Sequence, residues 1–155
     1  MLDHAWIEQH IPHQGSMCLL DSVVHWDDQR IQCRAVSHRN LDNPLRSRGQ
    51  LGAACGIEYA AQAMAVHGAL LAPAGDSRPR AGFLVSVRGA TLHVPRLDDI
   101  DADLDIEAVC INSSGDHILY QFSIHTGGRL LLDGRAAVVV NADSITPAIS
   151  SGDTP

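Results

Sequence analysis

The sequence predicts an α+β fold in which an antiparallel sheet wraps around one long buried helix. Almost all of residues 52–71 are small or apolar around the whole circumference of a helix, and a surface helix would not tolerate that composition. The segments on either side are apolar or alternating over strand lengths and are separated by short turns. Antiparallel strands with one helix segregated to a face define the α+β class. A chain of 155 residues fits one such domain.

A short helix and two strands are expected before the long helix. Residues 3–9 can form one or two helical turns, which end where Pro12 disfavours continuation. The apolar run 17–26 predicts a strand buried on much of both faces, and the alternating segment 30–36 predicts its hairpin partner. Residues 39–51 have no sustained period and contain proline and glycine, which is typical of a loop.

The second half of the chain is expected to consist of strands after a loop at residues 72–79. The predicted strands cover residues 82–94, 100–108, 118–124 and 129–140, and a bulge is expected at Gly134. The aspartates from 98 to 105 largely alternate with apolar residues, so they are interpreted as a solvated face rather than a calcium site. Residues 1–142 are expected to form the domain and residues 143–155 a flexible tail.

Composition argues against several classes of function. The formal net charge of −7 argues against nucleic-acid binding, because phosphate contacts require a basic surface. The four cysteines form no C-x-x-C pair and are expected to be free thiols in a reducing cytosol. No secretory signal is apparent, and the most apolar stretch is interrupted by Glu58, Gln62 and His67. We therefore expect a cytoplasmic protein that binds neither membranes nor nucleic acid.

Glu58 is the most unusual residue of the predicted helix, because its neighbours are mostly apolar. An isolated buried carboxylate is costly, so we expect it to find hydrogen-bond partners or to shift its pKa upward. Gln62 lies one helical turn further on the same face and is the candidate partner. A carboxyl group kept partly neutral near pH 7 is what a general acid requires. Pairing with an arginine across an interface would instead give Glu58 a structural role.

The first turn of the predicted helix, residues 52–56, consists of small residues. Its sequence GAACG places unpaired backbone N–H groups and the positive end of the helix dipole where a substrate carbonyl could approach closely. Close packing of the helix against the sheet explains the same composition equally well. Gly52, Cys55 and Gly56 are therefore candidate substrate-binding residues, with packing as the alternative role.

Motifs of several other chemistries are missing from the sequence. The nine histidines include no H-x-x-x-H pair on a helix, so no metal site is predicted. No serine lies in a G-x-S-x-G context, and no glycine-rich phosphate loop occurs. We expect no cofactor.

Two motifs resemble those of the bacterial 3-hydroxyacyl-acyl-carrier-protein dehydratases. Residues 11–13 (IPH) and 17–24 (MCLLDSVV) are similar to the LPHR-P-x-LLVDRV opening of that family. Residues 56–63 (GIEYAAQA) are similar to its helix motif, in which a catalytic acid is followed four residues later by glutamine. Residues 83–95 resemble the strand that follows, and the resemblance covers roughly residues 8–140. The pairing of the two motifs points to the aryl-polyene-cluster (ApeP-type) subgroup.

This resemblance implies a hotdog fold, a dimer whose sheets join edge to edge, and active sites at the dimer interface. The substrate would be a 3-hydroxyacyl thioester on a carrier protein or coenzyme A. In the family, a histidine of one protomer takes the α-proton while the helix N-terminus polarises the thioester carbonyl. A carboxylate of the other protomer protonates the departing 3-hydroxyl, which leaves a trans-2-enoyl thioester. The resemblance assigns Glu58 as this acid and places Gln62 and Val85 among the candidate substrate-binding residues.

One departure from the family pattern leaves the base open. The fatty-acid enzymes carry their catalytic histidine in a G-H-F-P-G loop before the acid, whereas residues 43–50 contain no histidine and the nearest is His38. His13 is the best available candidate for the base; otherwise a related subunit supplies the histidine, or the reaction is lost.

The expected function is a 3-hydroxyacyl dehydratase, or a subunit of one, in fatty-acid or polyene biosynthesis. The chain would form a homodimer or a heterodimer with a related hotdog subunit. The alternatives are a hotdog acyl thioesterase and a non-catalytic partner subunit of a heterodimeric dehydratase.

Overall fold

The computed structural model describes residues 1–72 and 83–139. One antiparallel sheet of seven strands packs around a long helix in these residues. The helices are α1 (His4–His10) and α2 (Gly56–Leu71). The strands are β1 (Leu2–Asp3), β2 (Ser22–Trp26), β3 (Arg30–Ala35), β4 (Phe83–Leu92), β5 (Leu104–Ser114), β6 (His117–Thr126) and β7 (Arg129–Val139). Their order in the sheet is β1-β2-β3-β5-β6-β7-β4.

Helix α2 forms the centre of the core. It packs on β3, β5, β6 and β7, and ten of its sixteen residues are buried, which explains its apolar composition on all sides. Side chains such as Met64 and Val66 each contribute about 1.5–3 kcal/mol to folding by leaving water. The α+β class and the hotdog fold expected from the sequence are confirmed.

A close approach of backbone to sheet fixes the start of α2. The turn of 3₁₀ helix Ala53–Cys55 leads into the helix, so α2 begins at Gly56 rather than at Gly52. A Cβ atom added at Gly56 would lie 2.7 Å from Cδ2 of Leu132 on β7. The packing explanation for the small residues of this segment therefore holds at Gly56.

Two strands differ from the prediction by more than two residues at one or both ends. The strand predicted at 17–26 is wrong in its first half, because residues 15–17 form a 3₁₀ turn and β2 begins only at Ser22. Its second half is not buried on both faces, since Val24 and Trp26 are exposed. The strand predicted at 100–108 begins at Leu104 and continues to Ser114.

The acidic run before and within β5 is only partly a solvated face. The side chain of Asp98 is 6% exposed, and its carboxylate accepts hydrogen bonds from the Leu51 N–H and from Arg96. The Arg96 guanidinium is the main reason that the pKa of Asp98 lies well below its usual range. Asp105 and Asp103 lie at the surface beside arginine side chains. Asp98 thus anchors the segment that precedes α2.

The bulge predicted at Gly134 lies on the neighbouring strand instead. The register of β4 against β7 shifts between Arg88 and Thr91, opposite Gly134. Gly134 itself lies against Phe122 on β6, whose Cζ atom would be 2.9 Å from an added Cβ atom. The glycine therefore serves close packing, while the extra residue belongs to β4.

Some expectations concern residues outside the described ranges. The predicted loop at residues 72–79, apart from residue 72, and the predicted tail at 143–155 are among them. No helix within the described ranges is long and apolar enough to cross a membrane. All four cysteines are free thiols.

Candidate active site

Glu58 lies in the first turn of α2, on a side of the helix that the sheet leaves partly open. The next two residues, Tyr59 and Ala60, are fully buried, whereas 34% of the Glu58 side chain is exposed. On the same side of the segment, Ala54 is exposed and Ala61 is half-buried. The carboxylate is thus less buried than the sequence predicts, and a ligand can approach it.

The loop that follows α1 brings His13 to this side of the helix. Two hydrogen bonds to Glu8 hold the loop in place. Oε2 of the Glu8 carboxylate accepts one from the Gly15 N–H at 2.7 Å, and the Glu8 backbone carbonyl accepts the other from Gln14 Nε2 at 2.7 Å. The short helix α1 therefore supports the histidine-bearing loop.

Gln62 joins the same loop to α2. Its side chain is fully buried, with Nε2 donating to the Met17 carbonyl at 2.7 Å and Oε1 accepting from the Leu19 N–H at 2.9 Å. The predicted contact with Glu58 is present but longer, at 3.4 Å from Gln62 Nε2 to Glu58 Oε1. Both ends of the amide are occupied by protein groups, which favours a positioning role. Substrate binding by Gln62 stays a prediction.

The imidazole of His13 and the carboxylate of Glu58 meet in front of this amide. Nε2 of His13 lies 3.3 Å from Oε1 of Glu58. Nδ1 of His13 is buried and has no hydrogen-bond partner in the described part of the chain. Within the same residues, the polar contacts of Glu58 with His13 and Gln62 both fall on Oε1, so Oε2 has no protein partner.

The pKa of Glu58 is lowered, which corrects the upward shift expected from the sequence. The hydrogen bond from His13 is the largest cause, burial opposes it, and the hydrogen bond from Gln62 lowers the pKa further. Hydrogen bonds to the charged form stabilise it by more than partial loss of water destabilises it. In the isolated chain, Glu58 is therefore a carboxylate at neutral pH.

The other predicted site residues have diverse environments. Gly52 is exposed, and Val85 lies on the edge strand β4 with 59% of its surface accessible. Gly56 is buried against the sheet, and the half-buried Cys55 thiol makes a weak hydrogen bond to the Leu45 carbonyl at 3.8 Å. Burial raises the pKa of Cys55. Their proposed contacts with substrate stay predictions.

Several backbone donors of the first turn are already used within the protein. The Ala53 N–H donates to the Pro95 carbonyl at 3.1 Å, and the Cys55 N–H donates to the Gly52 carbonyl at 3.0 Å. The Gly56 N–H donates to carbonyls of the same turn. Because the 3₁₀ turn uses these groups, fewer free donors are left to polarise a substrate carbonyl than a bare helix start would offer.

His38, the histidine nearest to the missing loop histidine in sequence, is part of the core. Its ring is fully buried, and Nε2 lies 3.0 Å from the carbonyl oxygens of both Ile100 and Ala102. Burial lowers its pKa, so the ring is neutral. A ring in this position has no access to a substrate.

A half-open cleft of about 330 Å³ lies between the N-terminal segment and the loop that precedes α2. Its lining includes Ser37 and Asn43, which hydrogen-bond to the hydroxyl of the buried Tyr59. Neither Glu58 nor His13 lines this cleft. Sequence reasoning missed this polar network, because its members are spread along the chain without a motif. In the described ranges, no group of three or more His, Cys, Asp or Glu side chains is arranged to hold a metal ion.

Comparison with protein families gives one match over most of the chain. A model of the ApeP-like family, described as ApeP dehydratase, matches residues 5–148. No curated protein matches the sequence at a significant level.

Comparison with solved structures gives the same fold. A chain of the dehydratase heterocomplex ApeI:P from Xenorhabdus doucetiae is 23% identical with a TM-score of 0.80, and the match covers 92% of this chain and 96% of that one. AziG from S. sahachiroi is 15% identical with a TM-score of 0.58, over 79% of this chain and 90% of that one. A thioesterase from Haemophilus influenzae is 15% identical with a TM-score of 0.56, over 76% of each chain. At these identities, the likeness to solved structures establishes the fold alone.

Proposed function

The chain belongs to the ApeP-like dehydratase family, and on that premise we propose that it is the acid-bearing subunit of a 3-hydroxyacyl thioester dehydratase. The observation that carries the proposal is the Glu58 carboxyl group, which is partly exposed and held through Oε1 while Oε2 has no partner in the described residues. A base removes the proton from C2 of the substrate, the C2–C3 double bond forms, and the C3–O bond breaks. The departing hydroxyl takes the proton of Glu58 and leaves as water.

The base is proposed to come from a second, related subunit. Residues 43–50 contain no histidine, His38 is buried in the core, and Nε2 of His13 already contacts Glu58. The similar solved structure from Xenorhabdus is a dehydratase heterocomplex, which supports pairing with a different chain. The substrate acyl chain would be carried on a carrier protein or coenzyme A, as the family resemblance implies.

Strand β4 offers a suitable edge for this pairing. It lies at the end of the sheet and pairs with β7 alone among the described strands. Leu84 and Val85 on this strand are 40% and 59% exposed. An edge strand with free backbone groups and exposed apolar side chains is prone to pair with another chain. We propose that the two sheets join here and that Val85 belongs to the interface.

Assembly would also prepare Glu58 for its role as an acid. The carboxyl group must hold a proton before the 3-hydroxyl departs, yet its pKa is lowered in the isolated chain. Covering its open side with a second subunit removes water from the charged form and thus raises the pKa. A proton-loaded Glu58 is therefore expected in the complex rather than in the free chain.

Reconstitution tests this proposal. The chain is purified alone and after co-expression with a hotdog homologue that carries the G-H-F-P-G loop, and both samples are sized. Each sample is then given a 3-hydroxyacyl thioester of N-acetylcysteamine, and enoyl formation and thiol release are followed separately. We expect a heterodimer that forms enoyl thioester and little activity from the chain alone. A stable homodimer that ignores the homologue would contradict the proposed partner, and a complex that remains inactive would indicate a non-catalytic subunit.

The lowered pKa of Glu58 favours a second candidate function, acyl thioester hydrolysis. A carboxylate that activates water must be ionised, and Glu58 has this form in the isolated chain. In the same assay, a thioesterase would release free thiol without enoyl product and would not need the homologue.

A further inference from the structure

The contact between His13 and Glu58 restricts where the protons of the pair reside. Nε2 of His13 lies 3.3 Å from Oε1 of Glu58, at the long end of hydrogen-bonding distance, and a carboxylate can only accept. A hydrogen bond across this contact therefore takes its proton from Nε2 of His13. Nδ1 is buried and meets no partner in the described residues, so a hydrogen on Nδ1 would have no acceptor.

Burying an N–H group without an acceptor costs about 1–3 kcal/mol, and more when the group is charged. Both the imidazolium and the tautomer with hydrogen on Nδ1 incur this cost. The neutral ring with hydrogen on Nε2 avoids it, since its Nδ1 carries only a lone pair. The tautomer with hydrogen on Nε2 is therefore the form of the ring that meets Glu58 and leaves no buried N–H group without an acceptor.

We propose that His13 is a positioning residue, which donates from Nε2 to Oε1 of Glu58 and thereby presents Oε2 as the oxygen that delivers the proton. This inference rests on the proposed function. In the described residues, Gln62 from α2 is the other polar group at the carboxylate, and it also binds Oε1. A proton that enters the site is therefore held on Oε2, while Oε1 stays the acceptor of both bonds.

The same geometry argues against His13 as the base that removes the C2 proton. To remove a proton from C2, the ring would need a free nitrogen lone pair that faces the substrate. Nε2 carries the hydrogen directed at Glu58, and the lone pair of Nδ1 is buried. The backbone of the loop that carries His13 is held by Gln62 at Met17 and Leu19 and by Glu8 at Gly15.

Two substitutions in the reconstituted complex distinguish positioning from proton abstraction. His13→Gln keeps an N–H donor near the position of Nε2 but cannot act as a base, whereas His13→Leu removes the donor. We expect His13→Gln to retain at least about a tenth of the wild-type kcat and His13→Leu to lose about 10²- to 10³-fold, as when one preorganised donor is removed. Equal losses in the two variants would overturn the proposal, as would a loss of about 10²-fold or more in His13→Gln, because a general base contributes about that much. Thermal unfolding of both variants identifies losses that come from misfolding.

A second readout is independent of activity. Nitrogen NMR of the full wild-type chain, with the His13 signals assigned by their loss in His13→Gln, reports which ring nitrogen carries hydrogen at neutral pH. We expect a protonated Nε2 and an unprotonated Nδ1. An imidazolium, or hydrogen on Nδ1, would overturn the positioning role. If the expected tautomer is found but the wild-type complex forms no enoyl product, the proposed function fails while the geometry of the pair stands.

Discussion

A carboxylate on an apolar helix is expected to bind its proton more tightly, yet the pKa of Glu58 shifts downward. The reason lies in its position, because the first turn of α2 is partly open and the loop after α1 brings His13 within 3.3 Å of it. Sequence spacing identifies Gln62 as a neighbour, since residues four apart share a helix face. It cannot identify the contact with His13, which depends on how the loop folds against the helix.

Removing the histidine should therefore change the titration of the acid. In the isolated chain, we expect His13→Leu to raise the pKa of Glu58, because the largest cause of its downward shift is lost. Carbon-detected NMR of the Glu58 carboxyl group across the acidic range measures this. His25→Leu is the matched control, as His25 is exposed beside Asp27 and should leave Glu58 unchanged. An unchanged or lower pKa in His13→Leu would show that another group holds the carboxylate.

At the scale of elements, Gln62 links α2 to the loop that carries His13. Replacing it by leucine leaves the Met17 carbonyl and the Leu19 N–H without their partner. We expect Gln62→Leu to lower the free energy of unfolding by about 2–4 kcal/mol, as measured by urea denaturation. Gln9→Leu, at an exposed position of α1, is the control and should change stability little. Equal free energies of unfolding in the two variants would contradict the role of Gln62 in linking α2 to the loop.

The contact between β6 and β7 at Gly134 gives a second prediction at this scale. An added methyl group would lie 2.9 Å from Cζ of Phe122 and 3.1 Å from the backbone Cα of Ala90. We expect Gly134→Ala to destabilise the fold by about 1–3 kcal/mol through overpacking. Gly52→Ala is the control, because nothing lies within 4 Å of its added methyl. The measurement is the thermal unfolding midpoint of each variant. Equal midpoints for Gly134→Ala and Gly52→Ala would contradict the close packing at Gly134.

The helix and most strands could be predicted because periodicity and turn residues mark them directly in the chain. The predicted strand boundaries were wrong where side chains distant in sequence bond to backbone groups that would otherwise pair in the sheet. The backbone at Met17 and Leu19 bonds to Gln62 rather than to a neighbouring strand, so β2 starts late. Likewise, Asp98 is taken out of the acidic surface by Arg96 and the Leu51 N–H. No local pattern records such long-range bonds.

At the scale of the whole molecule, two buried histidines are expected to make the free energy of unfolding depend on pH. His67 of α2 is fully buried, and its ring nitrogens lie 2.7 Å from the Tyr120 hydroxyl and 2.8 Å from the Asp27 carbonyl. Burial is the main cause that lowers the pKa of both His67 and His38. The unfolded chain, with histidine pKa values of about 6.5, therefore binds protons more readily than the folded chain just below that pH.

Stability should accordingly fall as the pH drops below about 6.5. We expect a lower free energy of unfolding in urea at pH 5.5 than at pH 7.5, within a range where carboxylates such as Asp98 stay ionised in both states. His67→Gln should reduce this pH dependence, whereas His117→Gln at an exposed position should not. A pH dependence that is equal in both variants and in the wild type would contradict the assignment of His67.

The sequence could predict only those residues of the candidate site that this chain itself contributes. Glu58 and Gln62 follow from the helix motif, and His13 follows from the opening motif. The role of His13 does not follow from either motif, because it depends on which ring nitrogen meets the carboxylate. The base, in our proposal, belongs to a second subunit, and no reading of a single chain can supply it.

The measurement that tests the central claim most directly is the kcat of the reconstituted complex with Glu58→Gln in this chain. We predict a fall of about 10²- to 10⁴-fold, the usual contribution of a general acid. The matched control is Glu107→Gln, a carboxylate of similar exposure that pairs with Gln32 and Arg30 on β3 and should leave kcat unchanged. Full activity in the Glu58→Gln complex would contradict the assignment of Glu58 as the acid.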